Sequence, residues 1–157
     1  MAESTYAGRI RTRGCAVVIK DDKILLVQQQ VPTRKTPVWL PPGGEVKLGE
    51  TAKDAAAREA FEETGIKIEP SRLIAVHEFI EPPFHAVELY FLSKLTGGTL
   101  LTGVDPELQA DDQQILKCEF IDLERLSGMS IFPPFVREIN YDWLSTESVV
   151  QHFMSSK

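Results

Sequence analysis

Apolar and polar positions along the chain fall into blocks of different period. Cys15-Ala16-Val17-Val18-Ile19 and Ile24-Leu25-Leu26-Val27 are short, unbroken apolar runs on either side of a polar Asp21-Asp22 pair. Runs of this length, rich in β-branched residues and joined by a tight polar turn, predict a β-hairpin. Residues 31–37 hold two prolines among polar and basic residues and predict a loop. Trp39-Leu40 begins an extended stretch that Pro41-Pro42 and Gly43-Gly44 bring to a turn. The pattern then becomes helical. Thr51 with Asp54 three residues on has the N-cap spacing, and Gly65 is a natural stop after Thr64.

Past the helix, the pattern predicts a short strand at Ile66-Lys67-Ile68, a turn at Glu69-Pro70-Ser71 and a longer strand from Leu73 to Ile80. Pro82-Pro83, with Phe84 and His85, turns the chain into a strand over Val87–Leu92. Residues 96–113 form a long acidic loop, and a last strand runs from Ile115 to Ile121. Loops of that length in compact domains are functional or disordered. Helical patterns over Pro134–Leu144 and Ser148–Met154 end the chain. Strands interleaved with a central and a terminal helical region imply an α/β (α+β) sandwich on a mixed β-sheet.

The 157 residues suit a single domain, 1–157, with residues 1–9 as a flexible N-terminus. A net charge of −6 argues against duplex nucleic acid as the partner, because that partner requires a basic face. Phosphate compounds remain accessible if divalent cations bridge the two. Cys15 and Cys118 are too few for a disulfide framework and point to a reducing compartment. Met1 to Arg13 lack the apolar core of a signal peptide, and no segment approaches the ~20 apolar residues of a membrane span. The expectation is a cytoplasmic protein with no membrane partner.

Candidate chemistry concentrates between Gly44 and Ile66. On a helical wheel, Glu59, Glu62 and Glu63 share an arc of about 100°, with Ala57, Ala60, Phe61 and Thr64 opposite as the expected core face. Like charges at these spacings repel, and Arg58 offsets only part of that repulsion. A hard divalent cation offsets it better. A solvated helix face is the ordinary reading of a Glu-rich helix. Against it stand the run of alanines and the Pro-Pro-Gly-Gly segment upstream, which bring backbone close to the carboxylates.

Gly44, Glu50 and Arg58-Glu59-Ala60-Phe61-Glu62-Glu63-Thr64-Gly65-Ile66 resemble the Nudix box, G-x5-E-x7-R-E-U-x-E-E-x-G-U, where U is a bulky aliphatic residue. Ala60 at a U position is the one departure, and it touches packing rather than chemistry. The resemblance to the Nudix hydrolase family implies an α/β/α sandwich. It implies that Glu59, Glu62, Glu63 and the Gly43 carbonyl hold Mg²⁺ or Mn²⁺, with Arg58, Glu50 and Gly44 supporting them. The implied reaction is hydrolysis of the diphosphate linkage in a nucleoside diphosphate joined to another group: ADP-ribose, a nucleotide sugar or a nucleoside triphosphate. The partner is then a small-molecule nucleotide, and a homodimer is compatible with this reading.

The general base is Glu63 or Glu59 within the box, or an acid further on among Glu88, Glu107, Asp111 and Asp112. Where several relatives carry a glutamate, this chain has Gln113-Gln114. Arg34, Phe84 and Glu107 are candidate substrate contacts. Arg9, Arg11 and Arg13 alternate on one strand face, either as phosphate contacts or as a solvated edge. His77, His85 and His152 lack metal-ligand spacing and receive no role. Pro82 stands 16 residues beyond Ile66, as in members resembling ADP-ribose hydrolases. A catalytically silent nucleotide-binding or regulatory module is the alternative, disfavoured by the intact box glutamates.

Overall fold

The hairpin forms as expected, and its arms then separate. In the computed structural model, which describes residues 5–101, 115–145 and 149–156, β1 (Ile10–Lys20) and β2 (Lys23–Gln29) pair only at Ile19 with Ile24 and Lys20 with Lys23. Asp21 and Asp22 both have positive φ, 50° and 61°, as a two-residue hairpin turn requires. Beyond the turn the strands join different neighbours. β2 lies between β3 (Val38–Leu40) and β7 (Ile115–Asp122), antiparallel to both. β1 lies between β4 (Gly43–Glu45), antiparallel, and β6 (Phe84–Gly98), parallel. β6 pairs antiparallel with β5 (Ile66–Glu81), which pairs in parallel with β8 (Gln151–Ser156). The result is the mixed sheet of an α+β sandwich.

Both faces of β1 are covered, which explains its unbroken apolar run. Cys15 and Val17 pack with Leu126, Phe135 and Val136, while Ala16 and Val18 pack with Ala56 and Ala60 of α1 (Ala52–Thr64). The caps of α1 form as read from the sequence. Thr51 Oγ1 accepts from the Asp54 amide at 3.1 Å, and Gly65, at φ 75°, donates to the Phe61 carbonyl at 2.8 Å. A Cβ on Gly14 would overlap the Ala52 carbonyl, so the helix backbone rests directly on β1.

That close contact corrects the expected core face of the helix. Only the slim Ala52-Ala56-Ala60 side can lie on β1, and this rotation buries Glu59 and Glu63 along with Ala60 and Thr64. Phe61 turns outward and is 51% exposed.

Further expectations change as well. The turn at Glu69-Pro70-Ser71 is absorbed into β5 as an irregular stretch with register shifts between Pro70 and Leu73 and between Leu73 and Ala75. A bulge lets a proline stay in a strand without its missing N–H breaking the ladder. Gly43-Gly44 run on as β4 instead of turning. The Pro134–Leu144 helix is divided into a 3-10 turn, Pro134–Glu138, and the single-turn α2 (Tyr141–Leu144). Asn140 causes the break: its Oδ1 accepts from the amides of Asp142 and Trp143 at 2.9 and 3.2 Å and so starts a new helix.

The Ser148–Met154 helix is replaced by β8, so Ile115–Asp122 is not the last strand. Apolar residues at 149, 150, 153 and 154 fit either period, and pairing with β5 decides between them. Part of the expected 96–113 loop is the end of β6, and Glu107, Asp111 and Asp112 lie outside the described residues. No helix among the described residues is long and apolar enough to cross a membrane. Burial pushes the Cys15 thiol up to about 12, which leaves it protonated and unreactive at neutral pH.

The Gly14 contact has a measurable consequence. Gly14→Ala should lower stability in urea by about 1–3 kcal/mol, the usual cost of overpacking. Gly97→Ala, where a Cβ meets nothing within 4 Å, should change stability far less. Equal effects at the two positions would show that the helix does not rest on Gly14.

Candidate active site

Seating α1 on β1 places Glu59 and Glu63, 3% and 6% exposed, in the wall of a cleft of about 140 Å³. β4 faces them. The Gly43 amide donates to Glu63 Oε2 at 3.4 Å, and a Cβ on Gly44 would overlap the Glu59 carboxylate. A Cβ on Gly43 would strike Cys15 on β1. The glycine pair therefore serves close approach of two backbones and a carboxylate.

Arg58 anchors this arrangement from behind. Its Nε and Nη2 donate to the two oxygens of Glu50 at 2.8 and 3.0 Å, and Nη2 also reaches the Glu45 carbonyl at 3.0 Å. Its Nη1 donates to Glu59 at 2.8 Å and to Glu62 at 3.1 Å. The bond to Glu50 leads in holding the Arg58 guanidinium above its ordinary pKa, and the same bond holds Glu50 below the usual carboxylate range. Glu62 keeps 24% of its side chain exposed and does not line the cleft.

A second set of charges comes from cross-strand register. Glu45, Arg13, Glu88 and His77 stand opposite one another across β4, β1, β6 and β5. Arg13 is ion-paired to Glu88 through Nη1 and donates through Nη2 to the Gly43 carbonyl at 3.0 Å. The other Glu88 oxygen bonds His77 Nδ1 at 2.7 Å, and His77 Nε2 bonds Ser155 Oγ of β8 at 2.8 Å. Burial alone would raise Glu88, but Arg13 and His77 together outweigh it and hold the carboxyl below its usual range. Both Glu88 oxygens are thus engaged.

Phe84 lines the cleft as the first residue of β6 rather than from a turn, because Glu81 and Phe84 close a two-residue hairpin. Arg34 is ion-paired to Glu81 at 2.9 Å, and its guanidinium lies 4.8 Å from the Phe132 ring centre. Glu50 is bonded to Arg58, Gly44 lies against the Glu59 carboxylate, and Glu107 is outside the described residues. Sequence reasoning missed Phe79 and Phe132 in the cleft wall and the link from His77 through Glu88 to Arg13. A signal for that link existed: counting outward from the Pro82-Pro83 turn sets His77 opposite Glu88.

A mixed sheet on which a long helix buries box glutamates against a glycine strand is the architecture of a Nudix-type domain. The NUDIX domain model matches residues 9–144, and the chain belongs to that family. It is 32% identical over 131 residues to an m7GpppN-mRNA hydrolase, NUDT17, of Danio rerio, covering 74% of this chain and 43% of that protein. It is 33% identical over 116 residues to an ADP-ribose pyrophosphatase of Methanocaldococcus jannaschii, covering 73% of this chain and 63% of that one. The chain therefore spans less than two thirds of either relative. An ADP-ribose pyrophosphatase from Streptococcus suis has the same fold, with a TM-score of 0.61 at 21% identity over 91% of this chain and 98% of its own.

Glu88 gives a pH-dependent prediction. Replacing it by Gln leaves Arg13 buried without its counter-charge, which should cost about 3–5 kcal/mol at neutral pH. A carboxyl depressed in the fold contributes its full stability above the unfolded value, near 4.5, and loses it as pH falls through the folded value. The gap between wild type and Glu88→Gln in urea unfolding should therefore narrow in acid. A gap that stays constant down to pH about 3 would show that Glu88 is not held ionised.

Proposed function

We propose that this chain hydrolyses the diphosphate linkage of a nucleoside diphosphate joined to another group, using Mg²⁺ or Mn²⁺ held by Glu59, Glu62, Glu63 and the Gly43 carbonyl. The observation that carries this reading is the burial of Glu59 and Glu63, 3% and 6% exposed, in the wall of one cleft. Solvated helix acids stay in water, whereas holding two carboxylates out of it costs several kcal/mol each unless cations compensate. The donor set of carboxylates and a backbone carbonyl is hard oxygen, which suits Mg²⁺ or Mn²⁺. Among the described residues no three such side chains converge as they stand, because Arg58 holds Glu62 to the side. Glu62 would join by releasing that bond.

When bound, the cation would neutralise phosphate charge and lower the pKa of an attacking water. Glu63 or Glu59 takes the water's proton from the cleft wall. Arg58, fixed by Glu50, aligns Glu59, and Arg13 holds the Gly43 carbonyl in place. Phe84, with Phe79 and Phe132 beside it, offers an apolar wall to the substrate's non-phosphate part. Pro82 and the similarity to an ADP-ribose pyrophosphatase favour ADP-ribose or a related nucleotide sugar over nucleoside triphosphates.

A panel of ADP-ribose, nucleotide sugars and nucleoside triphosphates, assayed with Mg²⁺ and with Mn²⁺, tests this. The wild type should release nucleoside monophosphate or phosphate from ADP-ribose first, and Glu63→Gln should lower kcat by about 10²–10⁴-fold, the usual loss of a general base. Binding of nucleotides without turnover by the wild type would favour the silent module instead. Phe84→Ala should raise KM and reorder the panel while leaving the metal requirement intact.

A further inference from the structure

Arg9, Arg11 and Arg13 alternate along the start of β1, and the structure treats them differently. Arg9 is ion-paired to Glu45, with one of its two contacts at 2.8 Å. Arg13 is ion-paired to Glu88 and bonded to the Gly43 carbonyl. Arg11 lies between them and lines the same cleft as Glu59 and Glu63, yet it makes no hydrogen bond or ion pair to a described residue. Its guanidinium carbon sits 4.1 Å from the centre of the Tyr6 ring. A guanidinium laid over an aromatic ring keeps its in-plane N–H donors free.

Space above Arg11 is also kept open. Ala86 of β6 stands opposite it in register, Phe79 of β5 stands beyond Ala86, and all three line the cleft. Nearby carboxylates are not available to it, since Glu45 is engaged by Arg9 and Glu88 by Arg13 and His77. Burial, with the adjacent charge of Arg13, pushes Arg11 down to about 10, whereas Arg58, bonded to Glu50 and Glu59, is held above its ordinary value. The environment is that of a cation whose counter-anion comes from outside the chain.

We propose that Arg11 is the receptor for a phosphate oxyanion of the ligand, binding through its free N–H edge the phosphate that lies away from the carboxylates. The proposal rests on the hydrolase reading for the identity of the ligand but not for the binding itself. Planar guanidinium and phosphate match as a two-point, charge-assisted pair. In a chain of net charge −6, such a local cation is also what would draw an anion into this cleft.

Inorganic pyrophosphate is titrated calorimetrically into the wild type, Arg11→Gln, Arg11→Lys and Lys67→Gln, in Mg²⁺ and separately in chelator. In whichever buffer the wild type binds, Arg11→Gln should weaken binding about tenfold or more, as loss of a charge-assisted pair does. Arg11→Lys should recover part of that loss. Lys67→Gln, which removes one positive charge outside the cleft, should stay within about twofold of wild type. With a hydrolysed nucleotide, Arg11→Gln should raise KM far more than it lowers kcat. Wild-type affinity in Arg11→Gln, an equal loss in Lys67→Gln, or no binding by the wild type in either buffer overturns the proposal. If pyrophosphate binds through Arg11 but no nucleotide is turned over, the hydrolase reading fails and this one stands.

Discussion

Two carboxylates, Glu59 and Glu63, are packed between a helix and a glycine strand, where water cannot solvate them freely. Ionised groups resist such transfer strongly, so everything around them must be close and well placed. Gly14 lets the helix backbone sit on β1, and Gly43 and Gly44 let β4 approach from the side. Arg58, on the helix itself, reaches back to Glu50 in the segment before it and also bonds Glu59 and Glu62. A larger residue at Gly14 would push the helix off β1, one at Gly44 would strike the Glu59 carboxylate, and one at Gly43 would push β4 off β1.

The same economy governs the other charges. Arg13, Arg58 and Arg34 each face a particular glutamate, and each pair lies between different elements of the fold. Such pairs contribute modestly to stability when solvated and more to geometry when partly buried. Here they hold backbone and side-chain oxygens still before any ligand arrives, which is the condition for effective electrostatic work on a reacting group. The chain from Gly43 through Arg13, Glu88 and His77 to Ser155 carries that fixation from the cleft to the far strand of the sheet.

What could be read from the sequence was local. Thr51 and Gly65 mark the helix ends because capping involves residues only a few positions apart, and Asp21-Asp22 mark the hairpin for the same reason. The box residues were visible because their spacing is confined to one helix and the strand before it. Features decided by distant partners were not visible. The helical wheel alone puts Phe61 on the core face, because it shows no sign of Gly14, which dictates how the helix is turned. The apolar spacing of the terminal strand suits a helix equally well, and only the open side of β5 selects the strand. His77 lacks metal-ligand spacing along the chain, and only strand register pairs it with a carboxylate.

β8 has a role in how the molecule meets its own kind. It lies beyond the segment matched by the family model, which ends at residue 144, and it pairs with β5 from Ala75 to Ile80. Without it, that stretch of β5 would present a row of unpaired amides and carbonyls, a ready template for strands of other molecules. The strand that takes this place is only six residues long and turns His152, Met154 and Ser156 outward, with His152 held to Glu78 at 2.8 Å. A short edge that turns His152 and Ser156 outward around a single apolar Met154 is a poor seed for further pairing. The C-terminal residues thus act as a guard rail on the sheet, and a chain cut at the family boundary would keep its cleft residues while gaining a surface prone to aggregation.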